Sequence, residues 1–168
     1  MGKMQQDNGW SIIVRMIMNR KLYIAYGSNL DEEQMALRCP DAKIVGWAVL
    51  KDWKLVFRNH ASIEPCEGSE VPVLVWDISE NDEYNLDMYE SYPDYYDKKN
   101  LDIIVNDSNG GQTNATAMVY VMNDGRKPAV PSQYYYNILM MGYKRFGFDT
   151  VILKKALLDS AVAASKVR

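Results

Sequence analysis

Glu90 stands where a short helix is expected to end, in the run Leu86-Asp87-Met88-Tyr89-Glu90-Ser91-Tyr92-Pro93-Asp94-Tyr95-Tyr96. Pro93 stops the helix, and four tyrosines (Tyr89, Tyr92, Tyr95 and Tyr96) flank the carboxylate. A phenol buries its ring while keeping a polar handle, so the pattern describes a carboxylate in a partly dry aromatic pocket. Burial disfavours the charged form and raises a carboxyl pKa, which makes a glutamate a better base at neutral pH. Asp87 lies on the same helical face and offers either a like charge that raises one pKa or a local cap or ion pair. Taken alone, the run also fits a solvated helical glutamate beside core tyrosines.

The second chemistry-bearing stretch is Tyr26-Gly27-Ser28-Asn29-Leu30. A glycine directly after a strand lets the backbone approach a ligand, and the helix that follows directs unsatisfied N–H groups and a partial positive charge toward the turn. Such a turn would hold a carboxylate or a phosphate. Ser28 and Asn29 add hydroxyl and amide hydrogen bonds suited to an amino-acid-like head group. Locally the same residues make an ordinary turn and cap. There is no Walker lysine and no GxGxxG, so a nucleotide reading is poorer still.

The surrounding elements follow from turn and cap signals. Lys21 to Tyr26 is a β-rich run stopped by Gly27, and Asp31-x-x-Gln34 opens a helix that Cys39-Pro40 ends after Arg38. Ile44 to Leu50 and Trp53 to Phe57 read as two strands joined by a Lys51-Asp52 turn. Val71 to Ile78 reads as a strand whose Pro72 marks an edge or a strand start. Ser79-x-x-Asp82 caps the short helix that carries Glu90. Tyr96 to Val105 and Thr113 to Met122 pair around an Asp-Ser-Asn-Gly-Gly turn. Ser132 caps a helix to Arg145, and Asp149 or Thr150 caps a last one to about Ala164. The order predicts an α+β fold, a small mixed and mostly antiparallel β-barrel with flanking helices. Residues 1–18 read as a loosely ordered extension and 19–168 as a single domain.

Composition narrows the function classes. Nineteen Lys+Arg against twenty-two Asp+Glu give a net charge of -3, which disfavours a nucleic-acid partner. One histidine, His60, and two cysteines, Cys39 and Cys66, leave too few ligands for a usual Cys/His zinc site. The apolar patch from Trp10 to Met18 is interrupted by Arg15, lacks a cleavage signal and falls short of the roughly 20 residues that span a bilayer. The expected setting is cytoplasmic, without membrane partners and with reduced thiols. His60 reads as exposed or structural, Cys39 as a buried helix-end thiol, and at most one or two of Tyr134, Tyr135 and Tyr136 as reaching any pocket.

Taken together, in order, these motifs resemble the γ-glutamylcyclotransferase family. The resemblance runs through Tyr26-Gly27-Ser28-Asn29-Leu30, Met35-x-x-Arg38-Cys39-Pro40-x-Ala42, Gly46-x-Ala48-x-Leu50 and Leu55-x-Phe57. It continues through Val71-Pro72, Trp76, Leu86-Asp87-x-x-Glu90-x-Tyr92-Pro93-x-x-Tyr96 and Pro131-Ser132 followed by Tyr134 or Tyr135, then a helix with Gly142. It implies an enzyme in which the α-amine of a γ-glutamyl amine or dipeptide attacks its own γ-carbonyl, giving 5-oxoproline and a free amine or amino acid. No metal or cofactor is implied, and the partner is a small γ-glutamyl molecule; oligomeric state stays open.

By the same resemblance Glu90 is the catalytic acid and base. The backbone of Gly27 to Leu30, Asn29 included, holds the α-carboxylate, Tyr26 and Ser28 shape the γ-glutamyl pocket, and Tyr96 binds substrate or orients Glu90. Ser91 departs from the glycine usual after the glutamate; if that glycine serves positive φ or close approach, Ser91 narrows the pocket. The competing reading is a non-catalytic binder of a γ-glutamyl or other carboxylated molecule. An amidase using Ser28 with His60 is penalised by the absence of GxSxG.

Overall fold

The computed structural model describes residues 13–14 and 18–167. The expectation of a loose extension over 1–18 therefore falls largely outside the described residues. From Lys21 onward the chain runs β1 (Lys21–Ala25), a 3₁₀ turn (Ser28–Leu30), α1 (Glu32–Arg38), β2 (Lys43–Arg58), β3 (His60–Ile78) and α2 (Glu80–Glu90). It continues as β4 (Tyr96–Asn106), β5 (Gln112–Met122), α3 (Gln133–Arg145) and α4 (Thr150–Ser165). The five strands close into a barrel in the order β1-β3-β2-β4-β5. All ladders are antiparallel except β1 with β5, which run parallel through Tyr23↔Met118 and Ile24↔Val119. The α+β barrel expected from the sequence is the observed fold. No described helix is long and apolar enough to cross a membrane.

Alternation places Phe57, Ile63, Val73, Val75 and Val119 in the barrel interior, and Leu139 and Leu153 bring α3 and α4 onto the same core. The two strands expected at 44–50 and 53–57 are one strand. Asp52 takes a left-handed conformation, φ 62, and its carboxylate accepts from Gly68 N–H at 2.9 Å, so the turn signal makes a bulge within β2. β3 likewise extends back over residues 60–70, where the sequence shows only a polar stretch. Its outward charges hide the pattern: Glu64 pairs with Lys54 and Arg58, while Ala61, Ser62 and Ile63 are buried. Pro72 lies opposite Val49 of β2, and β1 pairs with β3 only from Leu74 onward. The strand is thus locally an edge at the proline, which has no N–H to donate.

α2 carries Glu90, and polar tethers do much of its anchoring. Ser79 and Asp82 form the expected capping box. Asp82, fully buried, also accepts from Asp41 N–H at 3.3 Å. Asn85 donates to Arg38 O at 2.9 Å, Glu83 pairs with Lys21 and Lys98, and Leu86 is the apolar anchor. These contacts fix the helix end on which Glu90 sits.

Candidate active site

Two concavities stand out among the described residues. The larger, about 1450 Å³, lies against β2, β4 and β5, where Trp47↔Asn106 is the only pairing of β2 with β4. The smaller, about 230 Å³, gathers the chemistry: Tyr23, Tyr26, Gly27, Ser28, Asn29, His60, Ala61, Tyr89, Glu90, Ser91, Tyr95, Tyr96, Tyr120 and Tyr135 line it. Seven of the twelve tyrosines are here. Among the described residues no group of three or more His, Cys, Asp and Glu is gathered to hold a metal ion. The loop and the glutamate, 61 residues apart in sequence, share this cavity and touch: Asn29 Nδ2 donates to Glu90 Oε1 at 3.3 Å.

Asn29 is itself held. Arg38, from α1, donates to Asn29 Oδ1 at 2.7 Å and stacks over the Tyr89 ring at 3.5 Å. The same Asn29 amide donates to Tyr23 OH at 2.8 Å, and Asn29 O accepts from Trp76 Nε1 at 3.2 Å. Ser28 Oγ lies 3.0 Å from Tyr89 OH. Leu30 is buried beneath the turn, and α3 presses on it: a Cβ added to Gly142 would lie 2.7 Å from Leu30 Cβ. Gly27 has a similar reason, since its added Cβ would be 3.2 Å from Tyr135 OH.

The backbone N–H groups left free near the turn are not the ones expected. The first N–H groups of α1 are taken, because Asp31 caps Glu33 N and Gln34 N. The free ones lie instead in the 3₁₀ turn. Leu30 N and Asp31 N are spent on Gly27 O and Ser28 O, and the first N–H groups of such a turn, at Ser28 and Asn29, have no acceptor within it.

Burial pushes the Glu90 carboxyl up from its ordinary value of 4.5 to about 7, against the opposing pull of Arg38. Asp87 is not the cause. It pairs with Lys98 at 2.7 Å and accepts from Tyr120 OH, the local role open in the sequence. The phenols stay neutral donors: burial first, then the Glu90 charge, holds Tyr23 and Tyr26 well above the usual range. Tyr96 is raised by burial, then by Tyr26, Tyr135 and Glu90.

Two tyrosines spend their hydroxyls on the barrel: Tyr26 donates to Tyr120 O at 2.7 Å and Tyr96 to Ala61 O at 2.8 Å. They line the cavity as ring surface and as braces. Tyr92 turns away, its ring under Lys98. Tyr135, not Tyr134, reaches the site, its hydroxyl accepting from Ala61 N–H at 3.1 Å. Sequence reasoning missed Tyr23, Tyr120 and His60 as lining residues. Tyr23 and Tyr120, phenols inside the apolar runs Leu22–Ala25 and Ala117–Met122, carry a signal, since a buried hydroxyl needs a partner. Cys39 is the buried helix-end thiol expected, pushed by burial to about 12.

Ser91 caps α2 in the left-handed region, φ 51 and ψ 48, and Tyr92 N–H closes back on Asp87 O at 2.9 Å. This is the position at which helices most often end in glycine. Ser91→Gly should therefore stabilise the fold by roughly 0.5–1 kcal/mol, as a left-handed non-glycine residue costs about 1–2 kcal/mol, partly offset by the freer unfolded glycine. Urea unfolding of the two proteins at matched slope measures it.

A profile of the family described as "Gamma-glutamyl cyclotransferase, AIG2-like" matches residues 23–137, a span that includes both the loop and Glu90. The chain belongs to the γ-glutamylcyclotransferase family. It is 31% identical over 140 residues to a protein named γ-glutamylcyclotransferase from Homo sapiens, covering 75% of this chain and 71% of that one. The protein of the same name from Mus musculus is 32% identical over 138 residues, at 75% and 71% coverage. A solved structure named γ-glutamyl cyclotransferase superposes with a TM-score of 0.67 at 29% identity, covering 82% of this chain and 86% of its own. The family membership drawn from ordered motifs in the sequence stands.

Proposed function

We propose that the protein cyclises a γ-glutamyl amine or γ-glutamyl dipeptide to 5-oxoproline, releasing the amine or amino acid, with Glu90 as general base and then general acid. The observation that carries this reading is one ionisable carboxylate, raised to about 7 by burial, facing a tyrosine-lined cavity of about 230 Å³. Glu90 takes a proton from the substrate α-ammonium, whose pKa is near ~7.8. The freed amine adds to the γ-carbonyl; as the tetrahedral intermediate collapses, the C–N bond to the leaving group breaks, Glu90 delivers its proton to the leaving nitrogen, and the second proton that the ring nitrogen sheds in becoming the lactam N–H leaves with the departing amine as its ammonium. An unperturbed glutamate near ~4.3 would be too weak by about 3.5 pH units; one near 7 is matched to the task.

The two reacting groups belong to one molecule, so holding them in contact supplies much of the rate, with effective molarities on the order of 10⁵ M or more. In this reading the Ser28–Asn29 turn holds the α-carboxylate, and Tyr26 and Tyr96 wall the glutamyl moiety. Two free thiols, Cys39 and Cys66, suit a reducing, cytoplasmic setting.

The test is direct. The purified protein, incubated with a panel of γ-glutamyl amines and dipeptides, should release 5-oxoproline and free amine in equal amounts. Binding of γ-glutamyl compounds without any 5-oxoproline would favour the non-catalytic binder instead.

A further inference from the structure

Two rings at the mouth of the cavity each carry a guanidinium: Arg38 lies over Tyr89 with donors spent on Asn29 and Gln34, and Arg126 lies over Tyr95. The deep residues, Tyr26, Ser28, Asn29, Ala61 and Tyr96, are buried, so a bound glutamyl group inside them directs its leaving group outward, past the exposed lining residues. On one side those are Tyr89 and Ser91. On the other are the exposed His60 and the half-buried Tyr95, with His60 Nδ1 3.4 Å from Tyr95 OH and the imidazole edge-on to Tyr135 at 5.1 Å.

Behind Tyr95 stands Arg126, on the turn between β5 and α3, its guanidinium carbon 3.4 Å from the Tyr95 ring centroid. Arg126 makes no ion pair with any described residue. A guanidinium laid on an aromatic face keeps its N–H donors at the ring edge, in a planar fork that matches a carboxylate.

From this arrangement, and resting on the cyclisation reading above, we infer that Arg126, held on Tyr95 beside His60, is a specificity-determining residue that favours leaving groups carrying a carboxylate over uncharged amines. Tyr95 fixes where the guanidinium lies, and His60 fixes the Tyr95 hydroxyl. A leaving amino acid would place its carboxylate at this rim, whereas an alkylamine would leave Arg126 with water alone. Because the rim is exposed, the preference is modest and falls with added salt.

Two substrates of the same shape isolate the effect: γ-glutamyl-alanine and γ-glutamyl-alaninamide, which differ at the leaving carboxyl only. The readout is the ratio of their kcat/KM values compared between proteins, so that intrinsic differences in leaving-group reactivity cancel. Arg126→Met should lower the ratio about 5- to 10-fold, in line with one charge-assisted hydrogen bond at a wet site. Arg126→Glu should lower it further, and raising the salt should shrink the wild-type ratio toward that of Arg126→Met. 5-Oxoproline from both substrates with a ratio unchanged in both variants would overturn the role of Arg126 and leave the cyclisation standing. No 5-oxoproline from either substrate with the wild type would overturn the cyclisation, and this inference with it.

Discussion

Glu90→Gln should lower 5-oxoproline formation on the order of 10³-fold while the protein becomes more stable above pH 7. The first part follows from the chemistry: the amide keeps the shape of the carboxylate and can still accept from Asn29 Nδ2, which lies 3.3 Å from Glu90 Oε1, but it cannot carry a proton. Positioned acid–base groups contribute about 10²–10⁴-fold, and Glu90 serves both transfers. The second part follows from burial. Below pH 4.5 both native and unfolded chains hold the Glu90 proton. As the pH rises through 4.5 the unfolded chain releases its proton first, while the native carboxyl keeps it until about 7. The native state binds more protons across that interval, so stability is lost between about 4.5 and 7 and stays lost above. The penalty is roughly 3 kcal/mol at most, from the size of the shift, and glutamine does not incur it. Thermal unfolding of both proteins at pH 5 and pH 8 should show the gap opening at the higher pH. The kcat/KM of the wild type should fall on the acid side of about pH 7, a limb that Glu90→Gln removes. Equal activity in both proteins would strip Glu90 of its assigned role, and a variant less stable at pH 8 would show that the carboxylate is a structural partner.

The two segments with the clearest local chemistry, Tyr26 to Leu30 and Leu86 to Tyr96, were legible because each combines a backbone signal with unusual side chains. A glycine after a strand and a proline after a helix mark where the chain turns, and a turn is where polar groups collect. Their meeting was not legible from either alone, since the barrel that joins them closes through pairings such as Tyr23↔Met118, ninety-five residues apart. The same closure explains the misses. Tyr23 and Tyr120 come from β1 and β5, and nothing in their local sequence says that these elements share a cavity. Tyr96 was placed at the site, yet its hydroxyl braces Ala61 O. Helix α1 was rightly drawn, but its N-terminal N–H groups were not free, because the aspartate that starts the helix also caps it. His60 reads as exposed or structural because β3 begins eleven residues earlier than its apolar pattern shows.

Gly46→Ala should be among the most damaging single changes outside the cavity. Gly46 appears in the sequence only as part of Gly46-x-Ala48-x-Leu50, with no local turn to explain it. In the barrel, β2 shifts register between Ile44 and Gly46, and the next residue, Trp47, makes the only pairing between β2 and β4, with Asn106. A Cβ on residue 46 would lie 2.1 Å from Asn106 O and 2.9 Å from Asn106 C, with Val105 Cγ1 at 3.0 Å. Two of those atoms are backbone, so no rotamer change relieves the contact, and the strands must separate at the one place where they close the barrel. Overpacking ordinarily costs about 1–3 kcal/mol; with backbone as the obstacle, a loss of about 3 kcal/mol or more is expected. At roughly 2–4 °C per kcal/mol for a chain of this size, the midpoint should drop by about 6–12 °C. The site would feel the change through β2, whose far end turns at Asn59 into the His60–Ala61 segment that forms one wall of the cavity. Thermal unfolding followed by circular dichroism measures the loss. A shift of under 2 °C would mean that β2 and β4 can part without cost, and that the barrel is held by its other four seams.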